Sequence, residues 1–152
     1  FEKLFSSIKD EYPDYNIVSI FGCPGKKAFI RRRDLGTVAG QYAKKVYLTA
    51  EDPGYEPVEQ ISKEIAQYVE AQNCPYAMIE DRGEAIKAAM DEAEGKTIFL
   101  ITGKNKVDVV EEICNSGDTG PAAYIAHHAQ NVELFVDKAA AAYIDDSNKK
   151  MN

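Results

Sequence analysis

Five cations fall within eight residues: Lys26, Lys27, Arg31, Arg32 and Arg33. They follow Gly22 and Gly25, at the end of a short apolar run, Ile17–Phe21. Glycine lets a backbone approach a phosphate closely, and Lys and Arg supply the charge that holds it. A second loop, Ala50-Glu51-Asp52-Pro53-Gly54, follows Lys45–Thr49 and is acidic. A third, Gly103-Lys104-Asn105-Lys106, follows Thr97–Thr102 and again combines glycine with lysine. A rim carrying all three could hold an anion and an ammonium group together, as an amino acid or nucleotide site requires. Taken alone, the basic loop reads equally well as a solvated charged turn.

The elements that must position these loops are legible in the periodicity. Apolar residues at 1, 4, 5, 8 and 12 predict a first helix, stopped at Pro13-Asp14. Ile17–Phe21 is the first strand. Leu35, Val38, Ala39, Tyr42 and Ala43 repeat at helical spacing, which predicts a helix over 34–44. Lys45–Thr49 is rich in β-formers, and Pro53-Gly54 then forces a turn. A helix over about 57–71 and a short strand Tyr76–Ile79 follow. Asp81, with Glu84 three residues on, marks the start of a helix that stops at Gly95. Thr97–Thr102 is the longest apolar strand. Strands alternating with helices predict an α/β fold: a doubly wound, mostly parallel sheet, with right-handed crossovers and helices on both faces. In such a sheet ligands collect where the strands end, so the three loops share one edge. Beyond 107 the pattern weakens. Residues 107–113 fit a short helix or strand, one or two alanine-rich helices reach about Tyr143, and the tail frays.

Composition narrows the function classes. The chain has 152 residues, enough for one domain over 1–152 with a real core. Its net charge of -7 argues against wholesale nucleic-acid binding and makes the cationic cluster an outlier. A local basic loop on an acidic domain suits a small anion better than a polyanion. No apolar run approaches the roughly 20 residues of a membrane span, and no secretory signal is visible. Cys23, Cys74 and Cys114 are far apart and form no metal-ligand pair, so reduced thiols in a cytoplasmic protein are expected. A small buried filler is the favoured reading of Cys23, against a reactive thiol beside the basic loop. His127 and His128 point about 100° apart on a helix, which favours surface or capping positions over a shared metal site. There is no GxSxG or Walker A pattern, and Gly22-Cys-Pro-Gly25 lacks the third glycine of the dinucleotide fingerprint. The start, without methionine and inside a helical pattern, predicts a fragment of a longer polypeptide.

Four segments in order carry a family resemblance. Phe21-Gly-Cys-Pro-Gly25 with the basic loop to Gly36 resembles the first strand and loop of the C-terminal domain of Mur ligases, nearest the UDP-N-acetylmuramyl-tripeptide synthetases. Glu51-Asp52-Pro53-Gly54 falls on the family's DNPR or DNPA segment. Asp81-Arg-Gly-Glu-Ala-Ile86 falls on its DRAEAI helix start, and Thr102-Gly-Lys-Asn-Lys-Val107 on its AGKGHE segment.

The resemblance implies a Rossmann-like module that positions an incoming amino acid and closes over ATP held by a central domain. The family ligates an amino acid to a UDP-sugar peptide through an acyl phosphate. It further implies that Lys27 contacts the amino acid carboxylate. Glu51, Asp52, Pro53 and Gly54 select the amino acid, with Gly103 and Val107 as the last contacts. Gly22, Gly25, Lys26, Arg31, Arg32 and Lys104 form the phosphate side. ATP and Mg belong mainly to the absent central domain, so this fragment alone should be inactive. Its partners would be an amino acid, a UDP-MurNAc-peptide and its own central domain, with no nucleic acid and no membrane.

Departures bear on specificity. The arginine that marks diaminopimelate selectivity is Gly54 here, the family's asparagine is Asp52, its loop aspartate is Lys26, and its final glutamate is Val107. A diaminopimelate carboxylate would meet two acids, whereas a lysine ammonium suits Glu51 or Asp52. Three other readings stay open: a stand-alone anion- or nucleotide-binding module, an interaction domain working through 108–145, and a divergent paralogue.

Overall fold

A computed structural model describes residues 1–27 and 29–102. The chain divides into two compact units, Phe1–Gly103 and Lys104–Asn152, and every described residue lies in the first. Gly103, Lys104, Val107 and the helices expected to reach about Tyr143 lie outside the described residues.

The elements alternate as expected: α1 (Glu2–Glu11), β1 (Asn16–Phe21), α2 (Phe29–Tyr42), β2 (Lys45–Leu48), α3 (Val58–Glu70), β3 (Tyr76–Met78), α4 (Arg82–Asp91) and β4 (Thr97–Ile101). The strands form one parallel sheet in the order β3-β2-β1-β4. In register, Phe21 pairs with Leu48 and Ile20 with Ile101, so the strands end at one level.

Alternate side chains of the sheet feed two layers. Ile17 and Phe21 of β1, with Val46 and Leu48 of β2, join a buried cluster with Phe5, Leu35, Ala39, Ile61, Ile65 and Val69 from α1, α2 and α3. Val18, Ile20 and Tyr47 point the other way and are buried, as are Ala85, Ile86 and Ala89 of α4, which packs on β1 and β2. Helices therefore cover both faces, and both central strands are buried almost throughout. The Asp81 carboxylate accepts from the Glu84 amide at 2.8 Å and caps α4, as the sequence predicts.

One boundary differs in a way that matters. α2 begins at Phe29, five residues before the expected 34. Arg31, Arg32 and Arg33 thus lie on its first turns and not in a loop. Arginine is a good helix former, and Arg32 faces inward with 1% of its surface exposed. A search for apolar periodicity passes over a buried charge.

Burial sets the expected response to truncation. Ile65 has no exposed surface while Ile30 is 69% exposed. Ile65→Ala should lose about 2–5 kcal/mol in urea unfolding. Ile30→Ala should stay within about 0.5 kcal/mol of the parent. Equal losses at the two positions would contradict this layering.

Candidate functional site

The loops that leave β1 and β2 are laced to each other by their backbones. The Gly25 amide donates to the Asp52 carbonyl at 3.1 Å, and the Thr49 amide to the Phe21 carbonyl at 3.0 Å. The approach is too close for side chains. A Cβ on Gly22 would stand 2.1 Å from the Thr49 carbonyl oxygen, and one on Gly25 only 1.8 Å from that of Pro53. The two glycines therefore admit a neighbouring loop. The sequence reading had them admit a phosphate.

The Pro53-Gly54 turn forms as expected, with the Glu56 amide donating to the Pro53 carbonyl at 3.1 Å and Gly54 at a φ of +60°. Lys26 and Asp52 also adopt positive φ, +49° and +46°, although neither is glycine. Such conformations cost of order 1 kcal/mol or more and persist only where neighbours hold them.

Beside them lies Arg32, bonded through Glu56 to the Lys26 amide. Its two terminal nitrogens donate to both Glu56 oxygens at 2.8 Å, one of them also to Glu64 Oε2 at 2.5 Å, and the other to the Pro24 carbonyl at 3.3 Å. Glu56 Oε2 in turn accepts from the Lys26 amide at 2.5 Å. One buried guanidinium so joins the first loop, the second loop and α3. Sequence reasoning assigned Arg32 to the phosphate side and missed Glu56 and Glu64. The available signal was Glu56 itself, an acid directly before Pro57 and the start of α3.

The remaining expected residues sort as follows. Lys27 and Asp52 come together: Nζ lies 3.6 Å from Oδ2, and both side chains are substantially exposed at 61% and 48%. Glu51 is half-buried beside them in sequence and lies within electrostatic range of Cys23 and Arg82. Lys26 and Arg31 are exposed. The Cys23 thiol is buried, and burial, then Glu51, pushes it up to about 11. It is an inert filler, as favoured.

The other two strand ends join the same rim. Thr49 Oγ1 and the Ala50 amide both donate to the Glu80 carbonyl after β3. Arg82, at the start of α4, donates from both terminal nitrogens to the Thr102 carbonyl after β4, at 3.3 and 3.1 Å. Sequence reasoning gave Arg82 no separate role. Among the described residues no cluster of three His, Cys, Asp or Glu could hold a metal ion, and no helix is long and apolar enough to cross a membrane.

Together these features define a Rossmann-like α/β domain with its polar loops gathered on one rim. The family model described as "Mur ligase, glutamate ligase domain" matches residues 1–105. The chain belongs to the Mur ligase family, and the matched part is that family's C-terminal domain. Among curated relatives, the UDP-N-acetylmuramoyl-L-alanyl-D-glutamate–L-lysine ligase of Streptococcus pyogenes is 41% identical over 105 residues, 68% of this chain and 21% of the relative. The corresponding 2,6-diaminopimelate ligase of Caldanaerobacter subterraneus subsp. tengcongensis is 35% identical over 94 residues, 62% of this chain and 20% of the relative. A solved structure of a 2,6-diaminopimelate ligase of this type superposes with a TM-score of 0.59 at 28% identity, covering 68% of this chain and 21% of that one. The chain thus spans about a fifth of the length of the relatives it matches.

The ion pair gives the domain a pH signature. Arg32, then the Lys26 amide, hold the Glu56 carboxyl below its ordinary 4.5, at about 2. A carboxylate depressed in the folded state stabilises above its unfolded value and loses that contribution as pH falls through its folded value. Stability should therefore fall between about pH 4.5 and 2. Glu56→Gln should be less stable at neutral pH and should show a shallower fall across that window by urea unfolding. An unchanged slope would exclude Glu56 as a source of the acid sensitivity.

Proposed function

We propose that this chain is the amino-acid-positioning domain of an ATP-dependent ligase that adds the third-position amino acid to a UDP-MurNAc-peptide. Membership of the Mur ligase family supports this, as do the names of the relatives, which act with lysine or with diaminopimelate. The observation that carries the reading is the Lys27–Asp52 pair. Opposite charges stand 3.6 Å apart, largely exposed, where β1 and β2 end. An exposed pair of this kind contributes little to the fold. A zwitterion can exchange into it, with its carboxylate on Lys27 and a side-chain ammonium on Asp52 and Glu51.

Lysine fits that arrangement better than diaminopimelate. The latter brings a second carboxylate toward Glu51 and Asp52, with no arginine at position 54 to receive it. The more similar of the two relatives described is the lysine ligase.

When bound, ATP with Mg would supply the phosphoryl group that activates the peptide carboxylate. The described residues provide no metal site. The exposed cations Lys26 and Arg31 are the groups this domain would turn toward phosphate. Arg32, already engaged by two carboxylates, is assigned a structural part, tying α2 to the second loop and α3. The family resemblance alone assigns amino acid contacts to Gly103 and Val107, which lie outside the described residues. The magnesium-bearing part, the UDP-MurNAc-peptide site and the P-loop fall to a central domain of the same cytoplasmic enzyme.

Phosphate release by the full-length enzyme tests this. L-lysine should support it, diaminopimelate should not, and the 152-residue chain alone should show none. Lys27→Ala should raise KM for lysine about ten- to a hundredfold, the range of one charge-assisted contact, with little change in kcat. Failure of both amino acids would remove the reading.

A further inference from the structure

The Arg32–Glu56 pair is an expensive way to fill a core. Arg32 is 1% exposed, Glu56 is 9% exposed, and Arg32 Nε has no hydrogen-bond partner among the described residues. A buried ion pair is on average no better for stability than apolar side chains of the same volume, because desolvation offsets the attraction. Its geometry, however, is specific. Two parallel hydrogen bonds at 2.8 Å fix Glu56 against α2. The same carboxylate receives the Lys26 amide and so holds the residue that enters Lys27 at a φ of +49°. The guanidinium also takes the Pro24 carbonyl. Lys27 then meets Asp52, itself at a φ of +46° and bonded through its carbonyl to Gly25. Neither Lys26 nor Asp52 would keep such a conformation unaided.

We infer that Arg32 and Glu56 are positioning residues for the amino acid site: the pair holds the strained loops in the one arrangement that sets Lys27 against Asp52. This rests on the proposed function for its ligand and on the geometry alone for its mechanism. Releasing the pair leaves the sheet and core in place and lowers the fraction of molecules with a competent rim. Apparent affinity falls by that fraction.

The test uses the 152-residue chain. Two variants remove the pair: Glu56→Gln, and the double variant Arg32→Met with Glu56→Leu, which leaves no unpaired buried charge. Amide exchange is read at Gly25, whose acceptor is the untouched Asp52 carbonyl, and at Val46, bonded to the Pro75 carbonyl inside the sheet. L-lysine binding is followed by chemical-shift titration. Gly25 should lose protection while Val46 keeps it, and lysine should bind about tenfold more weakly in proportion to the loss at Gly25.

Several outcomes overturn the proposal. They are unchanged protection at Gly25, an equal fall at Gly25 and Val46, and unaltered lysine affinity despite a loosened Gly25. Unfolding of both variants also overturns it, since the pair would then be a requirement of the whole core. If the parent chain binds no lysine, the proposed function is what fails, and the comparison of Gly25 with Val46 still decides for or against the clamp.

Discussion

A guanidinium taken out of water must find acceptors, and that requirement organises this domain. Arg32 cannot be buried on the inner side of α2 unless Glu56 comes to it, and Glu56 cannot come unless the loop after β2 turns at Pro53-Gly54. Glu64 must also project from the facing turn of α3. Satisfying one side chain therefore ties the paths of two loops to each other and to α3. The proximity of Lys27 to Asp52 is a downstream result of that closure.

The parallel sheet supplies the other half of the constraint. Its register ends the strands together, so loops far apart in sequence start from adjacent points. The glycines then decide how near they can run. At Gly22 and Gly25 the neighbouring backbone occupies the place of a Cβ, so the two loops run backbone against backbone.

Much of this was legible in the sequence. Ile17–Phe21 and Lys45–Leu48 are short β-rich runs between turn residues, and they read as strands because burial on both faces leaves them almost wholly apolar, Ser19 and Lys45 apart. Asp81 and the Pro53-Gly54 turn act through their immediate neighbours, so local pattern sufficed. What escaped was nonlocal. The start of α2 was hidden because its inward residue is an arginine, whose solvent is a pair of carboxylates 24 and 32 residues away. Gly22 and Gly25 were rightly marked as close-approach positions, but the approaching group was another part of the chain, and no spacing rule names it. Arg82 was missed for the same reason: its acceptor is the Thr102 carbonyl, at the far end of a different strand.

Backbone-to-backbone lacing of two loops has a consequence for how such a domain diversifies. An insertion in either loop would have to be matched in the other, since Gly22 faces Thr49 and Gly25 faces Pro53 with no slack between them. Loop length is thereby constrained, and substitutions are accommodated more readily at exposed positions such as 27, 52 and 54. Point substitutions at those positions can change the charge of the rim while the path of the chain stays fixed.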